Sequence, residues 1–345
     1  MKAVQVLRHG RPSEVVTVND VAIPTPGAGE VRVAVSAASL NFGDIARSRG
    51  GVAMGMFQPP YTLGMDVCGI VEAAGEGGEA WLGKRIVGMS KWAFGGMAEQ
   101  AIVPLPSLFE APAGLDDAEA AAFLLPSHVG YLGLHVRARL QPGEWVLVTA
   151  AASAVGTAAL QIAAAAGAKV IATAGGAEKA AYCRSLGAGA VIDPAQEKLF
   201  DRVMALTEGH GVDVAYDLVG GEQTESFWTC MALEGRYLPI GFNGDAQGGL
   251  TGKPLRKIST GNFSVLGVML AYGVPILPMR GMGLNFYPPE TGQKIHAALC
   301  ALVAEGKLKP AIGRRIRMAE VGATLEEHEA RRTSGRTVVD IKGSL

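Results

Sequence analysis

Apolar and polar positions change rhythm along this chain. Up to about residue 124, short apolar and β-branched runs alternate with Gly and Pro, which predicts strands over 15–18, 30–36, 66–72, 84–87 and 99–103 and an all-β or barrel-like domain. Between 126 and 270, strand-like runs alternate with helical periodicity. Strands are predicted over 146–149, 170–173, 190–192, 212–217, 236–240 and 264–270, with helices over 178–186 and 198–207, the order of a doubly wound parallel sheet. A Gly-, Pro- and Met-rich segment over 271–289 follows, long enough to be functional or mobile. The chain closes on a helix whose Ile295, Ala298, Leu299, Leu302 and Val303 share one face, a charged helix over 320–331 and a strand over 337–341. These last elements have no sheet partner of their own and are expected to fold back onto the first domain. The domains expected are therefore 1–124 with 271–345, and 125–270.

The stretch from Glu144 to Lys169 organises the second domain. Trp145-Val146-Leu147-Val148-Thr149 reads as a strand buried on both faces, and 150–155 holds only small side chains. Ser153 suits a helix N-cap and Gly167 a left-handed helix end, so the unpaired N–H groups of the helix start are a natural seat for a pyrophosphate. The glycine fingerprint is worn down to Ala150-Ala151-Ala152-Ser153-Ala154-Val155-Gly156. The reading therefore rests on context: a strand before it, an alanine-rich helix after it and a second strand at 169–173. The uncharged span 145–168 is long enough to cross a bilayer, but its Ser, Thr and Gly content and its internal turn favour a buried unit of a soluble protein.

Composition narrows the classes. With 345 residues and 49% apolar content, two domains with substantial cores are expected. A net charge of −1 gives no electrostatic reason to bind nucleic acid or an anionic membrane. The chain opens without a signal-peptide pattern. Cys68, Cys183, Cys230 and Cys300 are scattered, which argues against a disulfide framework or a zinc knuckle and points to a reducing cytoplasm.

Several spaced motifs coincide: Gly64-Met65-Asp66-Val67-Cys68-Gly69, Phe94-Gly95-Gly96-Met97-Ala98-Glu99, Gln141-Pro142-Gly143-Glu144, Gly167-Ala168-Lys169-Val170, and Val212-Asp213-Val214-Ala215-Tyr216-Asp217 running on to Gly220. In order and spacing the chain resembles the medium-chain dehydrogenase/reductase superfamily over nearly its whole length. Within it the chain most resembles the zinc-free branch around the zeta-crystallin-like NADPH:quinone oxidoreductases. The resemblance implies a GroES-like β domain built from both chain ends and an inserted Rossmann domain, with cofactor and substrate meeting in the cleft between them.

The zinc-dependent members of that superfamily supply a cysteine, a histidine and a further cysteine or acid at three places, which fall here at Asn41, Met65 and Leu125. An amide, a thioether and an alkyl group cannot replace the thiolate and imidazole shell of Zn²⁺, so no metal site is expected. His128, near Leu125, is expected to be structural or substrate-facing. Without a Lewis acid, alcohol oxidation loses its alkoxide, whereas hydride addition to a quinone or an α,β-unsaturated carbonyl needs only hydrogen-bond donors at the oxygen.

The resemblance makes Asn41 a candidate hydrogen-bond donor or nicotinamide-placing residue, with a turn-forming Asn as the alternative. Asp44 is a candidate for orienting the substrate loop, with a helix cap as the alternative. Family tyrosines near Ala46 and Val52 are missing. A proton would then come from water, a cofactor hydroxyl, Tyr61, Tyr131 or Tyr272, each of which also suits packing. On the cofactor side the resemblance selects Val129, Ser153, Ala154, Val155, Thr173, Gly175, Lys179, Val219, Gly241, Phe242, Val268, Arg331 and Arg336.

The second strand ends in Thr173-Ala174-Gly175-Gly176 without the acid that binds an NADH ribose, and Lys179 matches a lysine that meets the 2′-phosphate, so NADPH is expected over NADH. Lys179 in a solvated first helical turn is the alternative. Arg331 and Arg336 match residues near the cofactor phosphates, though Arg331 also suits a solvated charged face. The edge of the last Rossmann strand implies a homodimer with a continuous sheet. An enoyl-thioester reductase, and an NADPH-binding sensor or structural protein, are the alternative functions.

Overall fold

The computed structural model describes residues 1–51, 58–241, 255–274 and 277–343. Its strands run, in chain order, β1 Lys2–Val6, β2 Val16–Asp20, β3 Glu30–Ser39, β4 Tyr61–Thr62, β5 Asp66–Ala74, β6 Arg85–Met89, β7 Gln100–Pro104 and β8 Leu108–Glu110, followed by β9 Trp145–Val148, β10 Lys169–Thr173, β11 Ala190–Ile192, β12 Val212–Asp217, β13 Met231–Pro239 and β14 Ser264–Val265, and finally β15 Ile312–Arg317 and β16 Arg336–Asp340. The chain divides into two compact units, one comprising Met1–Leu125, Ala271–Cys300 and Pro310–Leu345, the other Pro126–Leu270 and Ala301–Lys309.

In the first unit β3 is the hub. It pairs antiparallel with β5, β7 and β16, within a sheet ordered β15-β16-β3-β5-β6-β8. Val31, Val33 and Val35 alternate inward along β3 and pack with Val67, Ile86 and Val339 in one core, as the period of two requires. The C-terminal strand β16 is buried along its whole length, with Val338 opposite Ser39. A smaller sheet, β2-β1-β4, completes the unit.

The all-β expectation for the first 124 residues misses two helices that matter. Phe42–Ser48 starts from Asn41 as its N-cap. Asp117–Tyr131 begins in a reciprocal cap in which the Asp116 N–H donates to Glu119 Oε2 at 3.1 Å and the Glu119 N–H to Asp116 Oδ1 at 2.7 Å.

In the second unit the strands are all parallel, in the order β11-β10-β9-β12-β13-β14. Val146, Leu147 and Val148 of β9 have no exposed surface, which is why that strand reads as a continuous apolar run instead of alternating. The helix Ala154–Ala165 follows it, and Gly167 turns the chain at φ 77° into β10. Gln161 on this helix clamps Lys309, donating to its carbonyl and accepting its N–H at 3.0 Å each, and so ties 301–309 to this unit.

The strand expected over 264–270 stops at Val265. The Leu266 N–H still bonds to the Tyr237 carbonyl, but the next rung of a parallel ladder needs an N–H from Pro239, which has none. The Gly267 carbonyl is taken instead by Arg137 Nε at 2.8 Å. Of the irregular segment 271–289, residues 275–276 lie outside the described residues. The rest holds a short helix, Leu277–Gly281, and a bridge between Tyr272 and Tyr287.

Candidate active site

In the first unit, the end of β3 and the start of the helix Phe42–Ser48 build a buried polar cluster. The Thr337 carbonyl on β16 accepts the Leu40 N–H at 3.0 Å and fixes the chain just before Asn41. The Asn41 backbone N–H then donates to Asp44 Oδ2 at 2.9 Å, so Asp44 caps the helix. Asn41 Nδ2 donates to Asp66 Oδ1 at 2.8 Å and to the Ser39 carbonyl at 3.3 Å. Asp66, at the start of β5, places its other oxygen on Arg336 from β16, and Asp44 places Oδ1 3.0 Å from Arg47.

Two buried carboxylates are thus matched by two guanidinium groups, a requirement for holding charge away from water. The Asp44 carboxyl is nevertheless pushed above the usual carboxylate range. Burial is the main cause, Asp66 adds to it, and Arg47 and the Asn41 N–H oppose it.

This geometry revises the role expected of Asn41. A carboxylate only accepts, so the amide nitrogen must face Asp66, and both of its hydrogens are spent inside the protein. The Asn41 side-chain oxygen faces the Asp44 N–H as the other half of the capping box, so the side chain has no hydrogen left to donate to an oxyanion and only a remaining lone pair to offer a ligand. The Arg336 guanidinium, 3% exposed, is likewise turned to Asp66 in the first unit, and its Nε has no partner among the described residues.

Tyr61 is engaged too: its hydroxyl donates to the Arg47 carbonyl at 2.7 Å, and burial raises its pKa. Burial pushes the Tyr272 hydroxyl up as well, and Tyr131 packs its ring on His135 with the centroids 4.4 Å apart. His128 is fully buried in the helix Asp117–Tyr131.

A zinc ion does not fit the three positions named above, since Asn41 is committed to Asp66 and Met65 and Leu125 supply no anionic or imidazole donor. Among the described residues no group of three or more His, Cys, Asp and Glu is placed to hold a metal ion.

In the second unit the worn fingerprint works as a turn. Thr173, at the end of β10, accepts the Ala150 N–H on Oγ1 at 3.1 Å and the Ala151 N–H on its carbonyl at 3.0 Å. Its side chain therefore holds the turn and is not turned to a ligand. Ala150 sits at φ 45°. Ser153 caps the helix by accepting the Gly156 N–H at 3.2 Å, while Ala154 and Val155 open it, where N–H groups have no helical acceptor. A Cβ on Gly156 would stand 2.6 Å from the Ala150 carbonyl oxygen, so the one surviving glycine of the motif is the one the turn requires. A pyrophosphate therefore fits this helix start.

The neighbouring turn is more acidic than expected. Asp193, from the end of β11, accepts the Gly176 N–H at 2.8 Å and the Ala195 N–H at 3.0 Å, and these bonds hold its pKa below the usual value. Gly175 is exposed beside it, and Lys179 lies half-buried in the first turn of the helix Ala177–Ser185. Val219 and Gly241 stand together at the carboxyl ends of β12 and β13, where a Cβ on Gly241 would meet the Leu218 carbonyl oxygen at 2.1 Å. Val129 and Val268 are half-buried, and Arg331 is exposed. Phe242 and Val52 lie outside the described residues.

Asp66, Arg47 and Asp217 are not among the site residues expected from the sequence. Each is a charged residue beside or within an apolar run, the one local signal that it is held by partners elsewhere.

Residues 27–113 match the alcohol dehydrogenase GroES-like domain, and residues 154–276 match the zinc-binding dehydrogenase domain. A quinone oxidoreductase of Pseudomonas aeruginosa is 33% identical over 341 residues, 98% of this chain and 99% of that protein. The chain belongs to the medium-chain dehydrogenase/reductase superfamily, among its quinone oxidoreductase-like members. A quinone oxidoreductase-like protein 2 homolog of Nematostella vectensis is 32% identical over 323 residues, 92% of this chain and 83% of that protein. The Escherichia coli quinone oxidoreductase solved in complex with NADPH superposes with a TM-score of 0.84 at 27% identity, covering 99% of this chain and 100% of that one. The GroES-like and parallel-sheet parts of this medium-chain reductase are thus both accounted for. Of the three positions at which zinc-dependent members carry ligands, the one at Asn41 lies here in a hydrogen-bonded network with Asp66 and Arg336. Among the described residues no helix is long and apolar enough to cross a membrane.

Proposed function

We propose that this protein is an NADPH-dependent reductase of quinones or α,β-unsaturated carbonyls that works without zinc. The observation that carries the reading is the bond from Asn41 Nδ2 to Asp66 Oδ1 at 2.8 Å, with Arg336 on the far oxygen: the side chain at the position of a metal-binding thiolate is an amide whose hydrogens are spent inside the protein. NADPH supplies a hydride when bound. The residues assigned to hold it are those of the second unit, Ser153, Ala154 and Val155 at the helix start and Lys179 near the 2′-phosphate, with Val219 and Gly241 bordering the nicotinamide. The Gly176 and Ala195 N–H groups keep the Asp193 carboxylate ionised, so the Lys179 ammonium has to offset that charge for a 2′-phosphate to bind beside it. NADPH bound to the Escherichia coli relative supports the same choice.

Asp44 is assigned the role of fixing the start of the helix Phe42–Ser48, since its Oδ2 accepts the Asn41 N–H at 2.9 Å and its Oδ1 accepts from the Arg47 guanidinium at 3.0 Å. The protein is proposed to act as a homodimer through the edge of the second sheet, where β14 ends the strand order.

The test is cofactor oxidation by purified protein with a benzoquinone, an ortho-quinone, a medium-chain enone and an enoyl-CoA, each with NADPH or NADH and with a chelator present. Turnover with NADPH on a quinone or the enone that survives chelation is expected. Turnover confined to the enoyl-CoA would replace the reading with an enoyl-thioester reductase, and tight NADPH binding without turnover would replace it with a sensor.

A further inference from the structure

Thr149, directly after β9, and Asp217, the last residue of β12, are side by side in the second sheet. β10 and β11 extend from β9 on one side, and β13 and β14 extend from β12 on the other. The pair therefore spans the point where the strand order reverses, the crevice at which open parallel sheets bind their ligands.

Asp217 has no exposed surface, and among the described residues its carboxylate accepts from hydroxyl and backbone N–H groups. Oδ1 accepts the Thr149 hydroxyl at 2.9 Å and the Val219 N–H at 2.8 Å. Oδ2 accepts the Tyr237 hydroxyl at 2.6 Å, and the Gly220 N–H is shared between the two oxygens at 3.2 Å. Thr149 Oγ1 in turn accepts the Leu218 N–H at 2.8 Å. Three successive N–H groups, of Leu218, Val219 and Gly220, are thus drawn inward onto two side chains, and the Ile240 and Gly241 N–H groups bond to the Asp217 carbonyl at 2.8 and 3.0 Å. A charge this deeply buried is costly unless it is fully satisfied, and here every donor that satisfies it also fixes the crevice wall.

We propose that Asp217 is a positioning residue for the cofactor: with Thr149 it fixes the segment 218–220 across the strand reversal, so that the segment is already in place when NADPH binds. This rests on the reading of the protein as an NADPH-binding reductase. Rigidity present before binding appears as affinity, because no ordering cost remains to be met on association.

The test is the dissociation constant of NADPH for the full-length protein, followed by cofactor fluorescence, alongside the melting temperature. Asp217→Asn, and Thr149→Val should the first variant not fold, are expected to weaken NADPH binding by about tenfold, the worth of one to two buried hydrogen bonds. Thr149→Ser, which keeps the hydroxyl, is expected to restore binding to within about twofold of wild type. A fall in melting temperature with the wild-type dissociation constant would make the network purely structural and overturn the proposal. Wild-type protein that fails to bind NADPH would overturn the functional reading and this proposal together, an outcome read before any variant is made.

Discussion

Asn41 and Asp66 are joined by an Nδ2–H···Oδ1 bond of 2.8 Å between two buried side chains, and Arg336 closes the other side of Asp66. The two acceptor oxygens are thereby divided between an amide and a guanidinium. Removing the carboxylate leaves the Arg336 charge buried without its anionic partner. Asp66→Asn is expected to lower stability by about 3–5 kcal/mol, the cost of breaking a buried ion pair, and Arg336→Met by a similar amount. The double variant is expected to lose less than the sum, because neither charge is then left behind. Urea unfolding of the four proteins checks this; strictly additive losses would show that the pair is not coupled.

Lys179 stands in the first turn of the helix Ala177–Ser185, next to the glycine turn that Asp193 organises. If its ammonium meets a 2′-phosphate, Lys179→Ala should raise the KM for NADPH by about tenfold, one charge-assisted contact, and leave that for NADH unchanged. Steady-state kinetics with both cofactors decides it. Equal changes for the two would place Lys179 outside the discrimination.

The second unit was legible in the sequence because its signals are local. The run from Trp145 to Thr149, the cap at Ser153 and the left-handed Gly167 all lie within one βα unit, and all appear in the structure as read. The polar cluster was not legible, because its members meet from afar: Asn41 reaches Asp66 25 positions away, and Asp66 reaches Arg336 270 positions away. The loss of the zinc ligands is visible in residue types alone. The network that Asn41 joins with Asp66 and Arg336 depends on the pairing of β16 with β3, which no local pattern encodes. The overlong strand at 264–270 failed for a similar reason, since the missing N–H belongs to Pro239 on the neighbouring strand.

Ala150 occupies a left-handed conformation, φ 45°, at the turn between β9 and the following helix. An L-residue there costs about 1 kcal/mol or more, and glycine avoids most of it. Ala150→Gly is expected to stabilise the protein by about 0.5–1 kcal/mol after the greater freedom of glycine in the unfolded chain is subtracted. Its N–H bond to Thr173 should persist. A lower melting temperature for the variant would mean that the alanine methyl group contributes packing that outweighs the strain.

His328 links the last helix to the last strand, with Nε2 2.9 Å from the Thr337 hydroxyl. Burial holds its pKa down to about 4, helped by the positive charges of Arg336 and Arg314 and opposed by Glu327. In the unfolded chain the imidazole titrates near its ordinary 6.5, so between these values the unfolded state binds the proton and the folded state does not. The stability contributed by keeping His328 neutral is therefore complete above pH 6.5, is lost as the pH falls from there towards about 4, and does not change below that. His328→Gln keeps a hydrogen-bonding group but cannot titrate. Its melting temperature should fall less steeply than that of the wild type across this window, so that the two curves converge on acidification. Parallel curves from about pH 7.5 to about pH 4 would show that the imidazole takes up its proton equally in both states.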